Sequence, residues 1–330
     1  MDRIHFPYRS NVHLPLLHVI AESGSWERHG LDVIYDVKIT SSDAHRDVPT
    51  GDIEFVGGNH VSTYGHRARG DSWVYLGQTV NLLRHKLIVR PDSGITKLAD
   101  LKKRTVGSVG KHPGLNVWLY LKQHGLDADR DEVGLVKPDQ IMRNGKPLTE
   151  GPDGGNVLVD MVQNRDCDAA LVWSPASDFA VRAGLSVIDI DPMPMIWFTT
   201  ISSSMGFVEK HPELVERFIK GLLEGVAFFK TQPEKAIKII QERYDAEGKL
   251  DLELARKLHA DIEAMIEPRL FPSLDAISNV YQEAIRQDKD AAKVNPMELW
   301  DLHALRRIDD SGFIDQLYKG SSRAAGAGAR

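Results

Sequence analysis

Arg3-Ile4-His5-Phe6-Pro7-Tyr8, Arg9-Ser10-Asn11, the apolar run from Val12 to Ala21 and then Leu31-Asp32-Val33-Ile34-Tyr35 read as a strand, a polar turn, a helix and a second strand. Between the helix and the second strand, Ser23-Gly24-Ser25 breaks the apolar pattern. Trp26-Glu27-Arg28-His29-Gly30 then adds one helical turn closed by a glycine. A strand–helix–strand opening is the unit from which α/β folds are built.

Outward from this stretch the alternation recurs. Strands are predicted at Ile53–Val56, just before Gly57-Gly58, at Ser72–Leu76 and at Lys86–Val89. A second series starts at Pro91, with a short helix over Lys97–Leu101, a strand over Thr105–Val109, a turn from Gly110 to Gly114, a helix over Leu115–Gln123 and a strand over Val133–Val136. Met142–Asn156, rich in Gly, Pro, Asn and Asp, reads as a long surface loop. A helix over Val157–Asn164 and a strand over Asp168–Val172 follow, then a helix with Ser174 as N-cap and Pro175 at its first position, and a strand over Val187–Ile190. Trp197–Ser203 reads as a strand returning to the first series. Beyond it the pattern is helical, over Pro212–Phe229, Pro233–Arg243, Leu252–Ile266 and a group from Leu274 to His303. The expected architecture is α/β, with two parallel-type sheets in two lobes. Lobe 1 takes residues 1–90 and returns in 193–330, lobe 2 takes 91–192, and a disordered tail lies near 321–330.

Composition narrows the function classes. The 330 residues are 42% hydrophobic and 27% charged, which suits globular domains and not a disordered or fibrous chain. A formal net charge of −6 provides no basic surplus for a phosphate backbone, so nucleic acid is not an expected partner. The lone cysteine, Cys167, can form neither an internal disulfide nor a thiolate-rich metal site. No apolar run is long enough for a bilayer span, so membrane insertion is not expected. The chain enters a strand at once, without a basic segment, apolar run and cleavage site, which points to the cytoplasm, or to the periplasm if a leader was removed. A homodimer is compatible with this composition.

Several segments carry a family resemblance. His13-Leu14-Pro15-Leu16-Leu17, Gly24 and Trp26-Glu27-Arg28-His29-Gly30-Leu31-Asp32-Val33 resemble the opening of THI5/NMT1-like and sulfonate/taurine-type substrate-binding proteins. Leu98-Ala99-Asp100-Leu101-Lys102 with Thr105-Val106-Gly107, Asp168 to Pro175, and Lys210-His211-Pro212-Glu213-Leu214-Val215 resemble the same superfamily, in the same order. The resemblance implies a type II periplasmic-binding-protein-like fold with a ligand cleft between lobes. That superfamily also holds enzymes, among them the pyrimidine synthase of thiamin biosynthesis and, more distantly, 4,5-dihydroxyphthalate decarboxylase. This chain lacks the cysteine-rich iron motif of the pyrimidine synthase, because Cys167 stands alone.

In open α/β sheets ligands bind beyond the carboxyl ends of the strands, which singles out four loops. In the first, Arg9, Ser10, Asn11 and His13 stand where a strand meets a helix; Arg9 could hold a carboxylate or sulfonate and His13 could move a proton. In the second, Gly58, Asn59 and His60 follow a Gly-Gly pair that lets backbone approach a ligand closely. In the pyrimidine-synthase branch a functional histidine occupies a loop resembling this one, which makes His60 the first catalytic candidate and His13 the second. The third loop offers Ser108, Lys111 and His112, and the fourth Trp173 and Ser174, whose indole could stack on a ring. Each of these residues has an ordinary structural reading beside the functional one.

The 13 histidines do not assemble a metal motif: no H-E-x-x-H or C-x-x-C occurs, so no metal and no cofactor is expected. No G-x-S-x-G elbow occurs either. Two functional readings remain. The first is a cytoplasmic lyase that decarboxylates a small aromatic or heteroaromatic carboxylate, with Arg9 fixing the substrate and His60 or His13 protonating the carbanion. The second is a substrate-binding protein of an ABC transporter, of the sulfonate, nitrate, taurine or pyrimidine-precursor type. Both take a small anionic organic molecule as partner.

Overall fold

The structure is a computed structural model that describes residues 1–109, 117–130, 132–149, 155–244 and 250–319. The expected turn from Gly110 to Gly114 and the tail from Ser321 lie outside the described residues. In chain order the first elements are β1 (Asp2–His5), α1 (Leu14–Glu22), α2 (Ser25–Arg28), β2 (Leu31–Ile34), α3 (Ser41–Thr50), β3 (Val56–Gly57), α4 (Ser62–Ala68) and β4 (Trp73–Leu83). There follow β5 (Lys86–Val89), β6 (Thr105–Gly107), α5 (Val117–Gln123), β7 (Gly134–Val136), the hairpin β8 (Met142–Arg143) and β9 (Lys146–Pro147), α6 (Gly155–Gln163), β10 (Ala169–Val172), α7 (Ala176–Arg182), β11 (Ser186–Asp189) and β12 (Met193–Ser204). The chain ends in α8 (Met205–Lys210), α9 (Pro212–Thr231), α10 (Pro233–Arg243), α11 (Leu252–Met265), α12 (Leu274–Gln287), α13 (His303–Asp310) and α14 (Phe313–Tyr318).

Two compact units result, Met1–Asn81 with Phe198–Arg330, and Leu82–Trp197. The sequence places the second at 91–192; the compact unit begins and ends inside the long strands β4 and β12, through which the chain passes.

In the first unit β1 and β2 pair in parallel, from Asp2↔Leu31 to His5↔Ile34. Tyr8 bridges in parallel to both Lys38 and Gly57, which brings the end of the first strand beside β3. β12 lies between β3 and β4 and is antiparallel to β3, with Ile201 opposite Gly57. Helices α1 and α2 pack on α9. The approach is close because α9 carries glycine at two contact points. A Cβ at Gly221 would lie 2.3 Å from the Trp26 ring, and one at Gly225 would lie 2.6 Å from Ile20. Phe218 of α9, fully buried, lies parallel to the rings of Trp26 and Phe55 and meets Phe6 edge-on.

The second unit has a five-stranded sheet in the order β11-β5-β10-β6-β7. Strands β10, β6 and β7 run parallel, but β5 is antiparallel to both β10 and β11. The expectation of parallel-type sheets is met by β1 with β2 and by β10, β6 and β7, and it is corrected at β5 and β12, which run antiparallel to neighbours in their sheets. Ile88, Leu158, Val162, Ala170, Val172 and Ala180 form the centre of this unit's core. Asp168 ties two strands together, accepting from the Thr105 N–H at 2.8 Å and its hydroxyl at 2.9 Å.

Other sequence expectations need adjustment. Met142–Asn156 contains the β8–β9 hairpin and the start of α6. Ser174 is not the N-cap of α7, which starts at Ala176 behind Pro175; its hydroxyl instead donates to Asp178 at 3.2 Å. No helix of the described residues is long and apolar enough to cross a membrane.

Candidate functional site

Two loops that follow strands of the first unit meet the middle of β12 at one place, and the meeting is fixed by backbone hydrogen bonds. The Arg9 N–H donates to the Gly57 carbonyl at 3.2 Å, and the Gly58 N–H donates to the Thr200 carbonyl at 2.9 Å. The first candidate loop, the second candidate loop and the middle of β12 are thereby joined. Gly58 has φ of +124°, and a Cβ there would fall 2.8 Å from Cγ of Arg9. Glycine is thus required on two counts, backbone angle and space. Gly58→Ala is expected to cost ~2 kcal/mol through strain and crowding, read as a lower urea midpoint; an unchanged midpoint would contradict this packing.

Asn59 follows with φ of +61°, a left-handed conformation that asparagine tolerates better than most residues. Its carbonyl accepts from the Thr63 hydroxyl at 2.8 Å and from the Tyr75 hydroxyl at 3.0 Å. The Asn59 side chain is only 8% exposed, and neither its Nδ2 nor its Oδ1 has a partner among the described residues.

Both candidate histidines are buried against β12. Nδ1 of His13 lies 2.8 Å from the Thr199 hydroxyl, and its ring stacks near Phe198. Nδ1 of His60 lies 3.3 Å from the Thr200 hydroxyl, which itself donates to Oε1 of Gln78 at 2.6 Å. A hydroxyl has one hydrogen, so Thr200 can only accept from His60. The neutral His60 ring therefore carries its hydrogen on Nδ1, leaving Nε2 as the acceptor end.

Arg9 is half-buried and donates through Nη1 to the Ile39 carbonyl. Burial lowers its pKa, partly opposed by the Asp43 carboxylate. Ser10 and Asn11, also half-buried, form the turn into α1; Ser10 makes no side-chain cap, and its carbonyl accepts from the His13 N–H at 3.1 Å.

Beside Arg9 lies a histidine pair that the sequence did not reveal. The rings of His45 and His66 stack at 3.5 Å, Nε2 of His45 meets the Ser62 hydroxyl at 2.8 Å, and Nδ1 of His66 meets Asp71 at 2.6 Å. Burial first, then the neighbouring His66, push the His45 pKa down to about 4; Arg9 and Arg69 act in the same direction and Asp71 opposes. His18, against Tyr35, is pushed down to about 4 by burial and by Arg243. Both sit at 6.5 when unperturbed, so between pH 6.5 and 4 the unfolded chain binds more protons than the folded one. Their contribution to stability is complete above 6.5 and disappears as pH falls towards 4. Thermal melts across this range are expected to show a steeper decline for the parent than for a His18→Gln/His45→Gln variant; equal slopes would contradict it.

In the second unit, β6 and β10 are parallel neighbours with Ala170 opposite Gly107, so Ser108 and Trp173-Ser174 leave the same edge of the sheet. Ser108 and Ser174 are buried, and Trp173 packs edge-on against Trp197 at 5.3 Å. Lys111 and His112 lie outside the described residues. Among the described residues no group of three or more His, Cys, Asp or Glu is placed to hold a metal ion. Cys167 is buried, and burial raises its thiol pKa to about 12, leaving it unreactive.

Thr199, Thr200 and Gln78 were not legible as site residues. They sit in apolar-looking strands and reach the loops only through pairing. The one available signal was that Thr199-Thr200 stands as a polar pair between apolar residues in the returning strand, with Ser202 and Ser203 after it.

Residues 11–152 match the NMT1/THI5-like family. No curated protein matches the chain. Among solved structures, the periplasmic aliphatic sulphonate binding protein SsuA of Escherichia coli is 15% identical with a TM-score of 0.64, over 91% of this chain and 99% of that one. The alkanesulfonate-binding SsuA of Xanthomonas axonopodis pv. citri, bound to MOPS, is 12% identical with a TM-score of 0.63, over 92% and 99%. The desulfurization enzyme DSZB is 19% identical with a TM-score of 0.60, over 94% and 99%. These likenesses establish the fold.

Proposed function

We propose that this chain, with the fold of the periplasmic binding proteins and an NMT1/THI5-like segment over residues 11–152, is a substrate-binding protein for a small organic anion. The observation that carries the reading is the joining of Arg9 to the Gly58-Asn59-His60 loop in the first unit. The Arg9 backbone and the stem of its side chain are thereby held against a loop whose buried Asn59 amide has no partner among the described residues. A buried unpaired amide is expensive to maintain and is the kind of group a ligand satisfies. A guanidinium suits carboxylate or sulfonate. Two of the neighbours are sulfonate-binding proteins by name, which supports the anionic class.

The decarboxylase reading has no observation in its favour. Proton donation to a carbanion needs an acid aimed at it, whereas Nδ1 of His60 faces the Thr200 hydroxyl and Nδ1 of His13 the Thr199 hydroxyl. The cytoplasm likewise finds no support among the neighbours, one of which is periplasmic by name. The periplasmic alternative accords with a transport receptor.

Titration calorimetry against a panel of small carboxylates and sulfonates, with carbon dioxide release followed in parallel, tests the proposal. Saturable one-site binding without turnover is the expected outcome. Turnover of a bound carboxylate would restore the lyase, and absence of any binding would remove the receptor.

A further inference from the structure

We infer that Asn59 makes the site selective for ligands that present a hydrogen-bond donor next to an acceptor, an amide-like edge, over anions that offer acceptors alone. The inference rests on the binding role proposed above and specifies what that ligand must carry.

The loop around Asn59 is otherwise closed to adjustment. Its carbonyl receives two hydroxyls, and the Gly58 carbonyl accepts from Ser202 at 2.8 Å. The backbone is thus pinned while the side chain is left without partners among the described residues at both ends. The left-handed φ of +61° explains why an asparagine is tolerated, but glycine would meet that demand at less cost. What the backbone does not explain is a residue only 8% exposed whose amide has two buried atoms without a partner among the described residues. Which of the two is oxygen does not matter, because both lack a partner. Either assignment calls for one donor and one acceptor from a guest.

A plain alkanesulfonate or carboxylate could accept from Nδ2 but would leave Oδ1 facing a lone pair, which a buried site penalises. A primary amide, a lactam or a urea supplies both partners side by side, as paired amides do. The Arg9 guanidinium, which donates to the Ile39 carbonyl, would take the anionic end of the same molecule. The ligand class is therefore a small carboxylate or sulfonate with a second, amide-like end.

Matched probes read this directly: succinamate against monomethyl succinate, and the meta-sulfonate of benzamide against the meta-sulfonate of methyl benzoate. Each is titrated into the full chain, Asn59→Gly and Arg9→Ala. Asn59→Gly keeps the loop conformation available, and its melting curve reports folding. The amide member of a pair is expected to bind the parent at least about tenfold tighter, with the advantage lost in a folded Asn59→Gly. Esters binding as well as amides would overturn the inference while leaving the receptor standing, provided Arg9→Ala abolishes their binding. An amide preference that survives in Asn59→Gly overturns it as well. If no probe binds at millimolar concentration, the inference and the receptor fall together.

Discussion

Arg9→Ala is expected to weaken binding of a small organic anion by about 30-fold or more. The figure follows from removing a partly buried charge from its partner, a change worth ~2 kcal/mol at the low end. Arg9 is held at its guanidinium by the Ile39 carbonyl that accepts from it, and its side-chain stem runs close over Gly58, where a Cβ would fall 2.8 Å from Cγ. Such preorganisation spares the ligand the entropy of ordering a long side chain. Arg9→Lys should recover only part of the loss, since an ammonium cannot reproduce a planar, two-pronged contact. Calorimetric titration with the best anion of the panel checks both variants. Equal affinity of Arg9→Ala and the parent would show that the anion sits elsewhere.

Phe218→Ala is expected to produce the largest loss of stability, ~3–5 kcal/mol in the first unit. The Phe218 ring lies parallel to Trp26 at 5.9 Å and to Phe55 at 4.0 Å, with Phe6 edge-on at 5.0 Å. These four rings come from a strand end, α2, the approach to β3 and α9, so a cavity there loosens every element that positions the site. Aromatic contacts of this kind add to simple burial. Collapse around the gap is limited because α9 already touches Trp26 and Ile20 at its glycines. Urea unfolding followed by tryptophan fluorescence reads the change. Phe218→Leu, which keeps most of the volume, should cost much less, and a loss below ~1 kcal/mol for Phe218→Ala would contradict the ring packing.

How far the sequence reaches is clear from particular elements. β5 at Lys86–Val89 and α10 at Pro233–Arg243 have the bounds that periodicity and the flanking proline predict. By contrast α3, Ser41-Ser42-Asp43-Ala44-His45-Arg46-Asp47-Val48-Pro49-Thr50, gives almost no apolar signal and contains a proline. Only Ala44 and Val48 are buried there, and its start is marked by the Thr40 hydroxyl accepting from the Asp43 N–H at 3.1 Å. β4 and β12 extend well past the predicted strands because most of their residues are buried, so no polar alternation marks where they end.

The site divides in the same way. Arg9, His13 and the Gly-Gly-Asn-His run are local patterns and can be read in place. Their polar partners Thr199, Thr200 and Gln78 are brought to them by strand pairing across more than a hundred residues, which no local pattern encodes. For the same reason His45 and His66, which come from α3 and α4, gave no hint that their rings would stack.

A crystal structure of the full chain soaked with the tightest-binding small anion tests the central claim most directly. The account predicts an acidic group of the ligand on the Arg9 guanidinium and a polar edge within hydrogen-bond distance of the Asn59 amide. A ligand bound away from both residues, with the Asn59 amide still unpaired, would contradict it.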